Sequence, residues 1–92
     1  MKTYYVYIIT NRYRTVFYTG MTSNLARRIG EHSAGVGSRF TSFYRTSDLL
    51  YYEMYNSARQ ALAREKQIKA WGRAKKLRLI QACNPSMETL AL

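Results

Sequence analysis

Three polar residues sit on helical stripes that are otherwise apolar, and their chemistry is the first clue to function. Leu25, Arg28, Ile29 and His32 recur at the spacing of one helix face. Leu25 and Ile29 must face a core, so Arg28 and His32 are carried to its edge. A guanidinium there cannot escape burial by losing its proton; it needs an anion such as a substrate phosphate or an internal carboxylate, or a stem that snorkels to water. His32, with an unperturbed pKa of about 6.5, suits proton transfer near neutral pH. Glu65 shares a face with Ala58, Ala61, Leu62 and Ile68, while Arg64, Lys66 and Lys69 point elsewhere, towards solvent. A carboxylate on that stripe wants an arginine, a metal or a polar cleft, and a pair with Arg28 would place both groups in one cavity.

The partner class follows from charge. Fifteen Lys and Arg against five Asp and Glu give a formal charge of +10, and nine Tyr, three Phe and one Trp add stacking surfaces. Such a surface attracts polyanions and releases counterions from phosphates, which puts nucleic acid first and an anionic membrane second. Arg59, Arg64, Lys66, Lys69, Arg73, Lys75, Lys76 and Arg78 crowd into one stretch. Phosphate contacts are expected from Arg27, Arg39, Lys69, Arg73, Lys75 and Lys76, with Trp71 more suited to core packing than to stacking on a base. The acids are only Glu31, Asp48, Glu53, Glu65 and Glu88, with no two placed to share a metal. A two-metal carboxylate site is therefore excluded, leaving one ion or none.

The elements that must position these residues are readable in outline. Ninety-two residues, 47% of them apolar, make one small globular domain. Tyr4 to Thr10 and Asp48 to Tyr55 are dense in β-formers, and Thr15 to Thr19 reads as a hairpin partner ended by Gly20. Ser23 or Asn24 caps a helix to about His32, and Ser57 with Gln60 opens another that runs to about Trp71. A last helix spans Arg73 to about Ala82, and residues 35–47 read as a long, irregular connection. The expected fold is α+β, a three-stranded antiparallel sheet flanked by helices in the order β-β-α-β-α-α, over residues 1–85 with a tail at 86–92. Short apolar runs exclude a membrane-spanning helix, no secretory signal is visible, and the single Cys83 offers neither an internal disulfide nor a zinc site, so a bacterial cytoplasmic address, near the nucleoid, is expected.

Tyr5-Val6-Tyr7, ten residues, then Tyr18-Thr19-Gly20 resembles the paired tripeptides of the GIY-YIG nuclease superfamily. Arg28, His32 and Glu65 follow in the matching context, and Glu65-Lys-Gln-Ile-Lys-Ala-Trp-Gly-Arg-Ala-Lys-Lys76 is similar to a segment of its small stand-alone bacterial members. Tyr5 and Thr19 replace a motif glycine and isoleucine, and Met21 stands where some members carry lysine. The resemblance implies a metal-dependent endonuclease, of repair or recombination type, that hydrolyses phosphodiesters, with DNA favoured and RNA open. It implies one Mg2+ or Mn2+ on Glu65, Arg28 on the scissile phosphate, and Tyr7 and Tyr18 lining the site. His32 takes a general-base or hydrogen-bonding position, and Asn84 resembles an asparagine near the metal. The base stays open between Tyr7, Tyr18 and His32. A non-catalytic nucleic-acid-binding module, an accessory subunit of a larger repair complex and a homodimer remain alternatives.

Overall fold

The run Tyr-Tyr-Val-Tyr-Ile-Ile-Thr forms the middle strand of the sheet, β1 (Tyr4–Thr10), and it is apolar on both faces because both are covered. The computed structural model describes residues 2–92. The other elements are β2 (Phe17–Thr22), α1 (Leu25–Ser33), α2 (Arg39–Tyr44), β3 (Asp48–Tyr55), α3 (Ala58–Lys69) and α4 (Arg73–Cys83). The strands run β2-β1-β3, antiparallel throughout. Val6 and Ile8 pack with Ala61, Ile68 and Ile80 from α3 and α4. Tyr7 and Ile9 point the other way, onto Leu25 and Leu49, which follows from the two-residue alternation of a strand.

The expected α+β architecture is present, with one added element: α2 lies inside the segment read as an irregular connection. Ser38 starts it by accepting from the Thr41 amide, and Arg45 ends it in the left-handed region at φ 53°. Two other boundaries moved. Asn11 Oδ1 accepts from the amides of Thr15 and Val16, so those residues belong to the turn and β2 begins at Phe17. Gly20 does not end β2: it pairs with Tyr7, and the strand continues until Thr22 pairs with Tyr5.

The α3 face is rotated from its expected position. Ala61 and Ile68 are buried, but Leu62 is 43% exposed. Arg64 turns inward instead of into solvent, because Glu53 on β3 holds it at 2.9 Å and 3.0 Å through two guanidinium nitrogens. The same carboxylate accepts from the Tyr51 and Tyr55 hydroxyls, and against the opposing effect of burial Arg64 and these two hydroxyls hold its pKa below the ordinary carboxylate value. Trp71 is half-buried against the core, under Arg64 and Lys75. Residues beyond α4 fold back along β3: Leu90 N donates to Leu49 O at 2.8 Å, and Arg14 reaches Met87 O at 3.2 Å. No helix among the described residues is long and apolar enough to cross a membrane.

Replacing Glu53 with alanine strands a guanidinium and two hydroxyls in a half-buried site. The expected cost is about 3 kcal/mol, read as a lower urea midpoint at unchanged m-value.

Candidate active site

Register decides where the Tyr7 side chain goes. Gly20 stands opposite it on β2, and a β-carbon there would overlap the Tyr7 hydroxyl. The phenol therefore lies across the one position in β2 that has no side chain, and is 1% exposed. Its hydroxyl meets His32 Nε2 at 2.9 Å. His32 is 2% exposed, and its other ring nitrogen meets Thr41 Oγ1 of α2 at 2.8 Å. Gly37 repeats the device, since a β-carbon at that position would overlap the imidazole. The α1–α2 loop can close over His32 only because residue 37 is glycine.

A neutral imidazole has one donor and one acceptor. With Nδ1–H donating to Thr41, whose hydroxyl in turn reaches Ser38, Nε2 is left to accept the Tyr7 proton. Burial lowers the His32 pKa, and the Arg28 charge lowers it further, so the ring is neutral at pH 7. Burial pushes Tyr7 up to about 12 despite the opposing effect of the Arg28 guanidinium. At rest the pair is thus a neutral phenol hydrogen-bonded to a neutral imidazole.

Around this floor is a more accessible rim. The Tyr18 ring meets the His32 ring edge-on at 5.5 Å and lies 6.5 Å from the Tyr7 ring. Arg28 donates to Glu31 Oε1 at 3.0 Å and to Gly37 O at 2.7 Å, which aims it across Tyr7; it pairs with Glu31, and not with Glu65. Glu65 is close enough to Tyr7 for its charge to disfavour the phenolate. Its side chain is 14% exposed, and its one salt-bridge partner among the described residues is Lys69 Nζ at 3.5 Å. Lys76 is half-buried beside Lys69, and burial together with that neighbouring charge lowers its pKa.

Tyr7, Tyr18, Arg28 and His32 are therefore in one cluster, with Glu65 at its edge and Lys69 and Lys76 beyond it. The other cations expected on phosphate are placed differently. Arg27 is exposed and pairs with Glu31 at 3.4 Å, and Lys75 lies over Trp71. Arg73 donates to the Thr15 and Arg14 carbonyls and covers the Phe17 ring, so it pins the β1–β2 hairpin. Arg39 projects from α2. Asn84 spends its amide on Leu50 O, Glu88 O and Glu88 N at the β3 edge, outside the cluster. Gly20, Gly37 and Thr41 are site residues that sequence reasoning missed. A glycine inside a β-pattern is the signal that could have found the first, because it marks a close approach by another group.

The profile of the GIY-YIG catalytic domain matches residues 3–78. The chain belongs to the GIY-YIG family. That family is one of nucleases, and its members typically use a divalent metal. This GIY-YIG chain is 40% identical over 81 residues to a UPF0213 protein of Staphylococcus haemolyticus, covering 88% of this chain and 98% of that one. A UPF0213 protein of Natronomonas pharaonis is 40% identical over 77 residues, covering 84% and 89%. The solution NMR structure of the UPF0213 protein BH0048 from Bacillus halodurans superposes with a TM-score of 0.60 at 29% identity, over 95% of this chain and 92% of that one.

Two expectations follow for the floor of the site. Gly20→Ala overpacks the Tyr7 ring, at a cost of about 2 kcal/mol in a thermal melt. The Nε2 resonance of this single histidine should move towards its free value. Because His32 is depressed in the folded state, its contribution to stability is complete above its unfolded pKa of about 6.5 and is lost as pH falls below it. The slope approaches ~1.4 kcal/mol per pH unit for one proton, and His32→Gln should flatten the pH 7 to 5 region of a Tm profile.

Proposed function

We propose that this GIY-YIG chain is a divalent-metal-dependent endonuclease that hydrolyses phosphodiester bonds in nucleic acid, DNA before RNA. The observation that carries the reading is the buried Tyr7–His32 hydrogen bond, with Arg28 held next to it by Glu31 and Gly37 and with Glu65 near enough for its charge to act on the phenol. A protein that only bound nucleic acid would gain nothing from a half-buried carboxylate next to the backbone it must attract.

The residues present fit one hard cation. Glu65 is a largely buried carboxylate with a single ammonium at 3.5 Å, so it has oxygen lone pairs to offer. No three His, Cys, Asp or Glu side chains converge among the described residues, so at most one further side chain of that kind could join Glu65 and water would fill most of the shell. That suits magnesium or manganese, which retain most of their water. When bound, the ion supplies charge stabilisation to the phosphate and the leaving oxygen.

The chain's own groups divide the remaining work. Arg28, fixed by Glu31 and Gly37, holds the phosphate and meets the charge that builds on it in the transition state. The Tyr7 hydroxyl lies between the rim and the imidazole, so it takes a proton from the attacking water as its own proton passes to His32 Nε2. A phenol with a pKa raised to about 12 is a poor base alone at neutral pH, and the imidazole behind it supplies the accepting site. Thr41 keeps the ring in the tautomer that can accept. Tyr18 walls the site. Lys69 and Lys76 track the backbone beyond the cut, and Arg27, Lys75 and Arg39 add to the attraction. Arg73 is committed to the hairpin instead.

The deciding assay is cleavage of supercoiled, branched and single-stranded DNA and of RNA with Mg2+ or Mn2+. Glu65→Gln and Arg28→Ala are expected to lose about 10²- to 10³-fold in rate, with Glu65→Gln binding nucleic acid at least as tightly as the parent. Salt-sensitive binding with no cleavage by any form would sink the enzyme reading in favour of a binding module.

A further inference from the structure

α2 presents an aromatic surface that the core does not use. Phe43 is 79% exposed, Tyr44 44% and Phe40 39%, and Val36 in the preceding loop is 73% exposed. The Phe40 and Tyr44 rings lie 4.8 Å apart, and Phe43 meets Tyr44 edge-on at 4.9 Å. With Arg39, Ser38 and Ser42 they line an open groove of about 800 Å³. Apolar surface grouped in this way marks an interaction site.

Its position and charge narrow the occupant. Phe40 packs on Tyr18 at 5.7 Å, and Tyr18 packs on His32, so the groove adjoins the proposed reaction centre through one ring. Arg39, at its edge, has no salt-bridge partner among the described residues. A second copy of the chain would bring another +10 to an already cationic surface. A nucleobase is flat, presents a π-face to such rings, and arrives on a polyanion.

We infer that Phe40, Phe43 and Tyr44 form a nucleobase subsite beside the Tyr7–His32 pair, with Arg39 on the phosphate of the same nucleotide. The base it takes has left its stack, because the rings must replace a neighbouring base. The subsite's place next to the cut rests on the nuclease reading; its affinity for a base does not.

Binding without metal separates the two. The full chain is titrated, in EDTA, against fluorescent oligothymidylate and against an abasic deoxyribose-phosphate strand of equal length. The parent should prefer the strand with bases by about tenfold. Phe43→Ala should remove most of that preference and leave abasic binding unchanged, its exposure sparing the fold. Arg39→Ala should weaken both strands alike and lower the salt slope by about one. Equal affinity of the parent for both strands overturns the subsite, as does a preference that survives Phe43→Ala combined with Tyr44→Ala. A sedimenting dimer that Phe43→Ala converts to monomer also overturns it, by placing a second copy on the groove. Metal-dependent cleavage without base preference leaves the nuclease reading standing and removes the subsite. Base preference without cleavage does the reverse.

Discussion

The hydrogen bond between Tyr7 and His32 joins the central strand to the first helix where water can replace neither partner. Residues 1% and 2% exposed cannot leave a hydroxyl or a ring nitrogen unpaired without a penalty of about 1–3 kcal/mol, so the helix is held at one distance from the sheet. Other features follow from that bond. Gly20 vacates the space the phenol crosses, and Gly37 lets the chain pass over the imidazole. Because the ring has a second nitrogen, a hydroxyl must reach it from the far side, and Thr41 brings α2 into place to supply one.

A chain with fifteen cations and five acids has few ways to hold a guanidinium still, and it spends its acids locally. Asp48 takes Arg14, which also ties down the returning chain at Met87 and Thr89. Glu53 takes Arg64, and Glu31 serves Arg27 and Arg28. The Asp48 and Glu31 pairs, the more exposed ones, freeze geometry more than they add stability. Glu65 differs. It is as enclosed as Glu53 but lacks the two hydroxyls and the forked guanidinium that make Glu53 comfortable. The two carboxylates lie on the same side of the sheet under similar burial, and the contrast in their partners separates a structural acid from one with ligand capacity left.

Much of this is legible in the residue types and their spacing. Tyr4–Thr10 and Asp48–Tyr55 carry dense β-formers between turn residues, and Ser57 marks a helix start by local chemistry alone. Arg28, His32 and Glu65 stand out as polar interruptions of apolar stripes, whereas Tyr7 and Tyr18 stand out only through the family resemblance, because a tyrosine in a tyrosine-rich strand carries no periodic signal. What stayed hidden depends on partners distant in sequence. Arg64 turns inward for Glu53, eleven residues away on another element. Gly20 matters because of a cross-strand neighbour. α2 is too short to show a period, and a six-residue helix has no stability apart from its contacts.

That dependence gives α2 its significance. Four attachments hold it: the Ser38 cap, the left-handed turn at Arg45, Thr41 on His32 and Phe40 on Tyr18. Two of the four are contacts to the floor and wall of the candidate active site. The face that carries Phe43 and Tyr44 to solvent and the hydroxyl that sets the His32 tautomer therefore belong to one rigid turn and a half of helix. A ligand cannot load the aromatic face without bearing on the hydroxyl that orients the imidazole. In a chain of this size the proposed recognition and proton-transfer roles share an element, because the turn of helix that exposes Phe43 and Tyr44 is the one that brings Thr41 to His32.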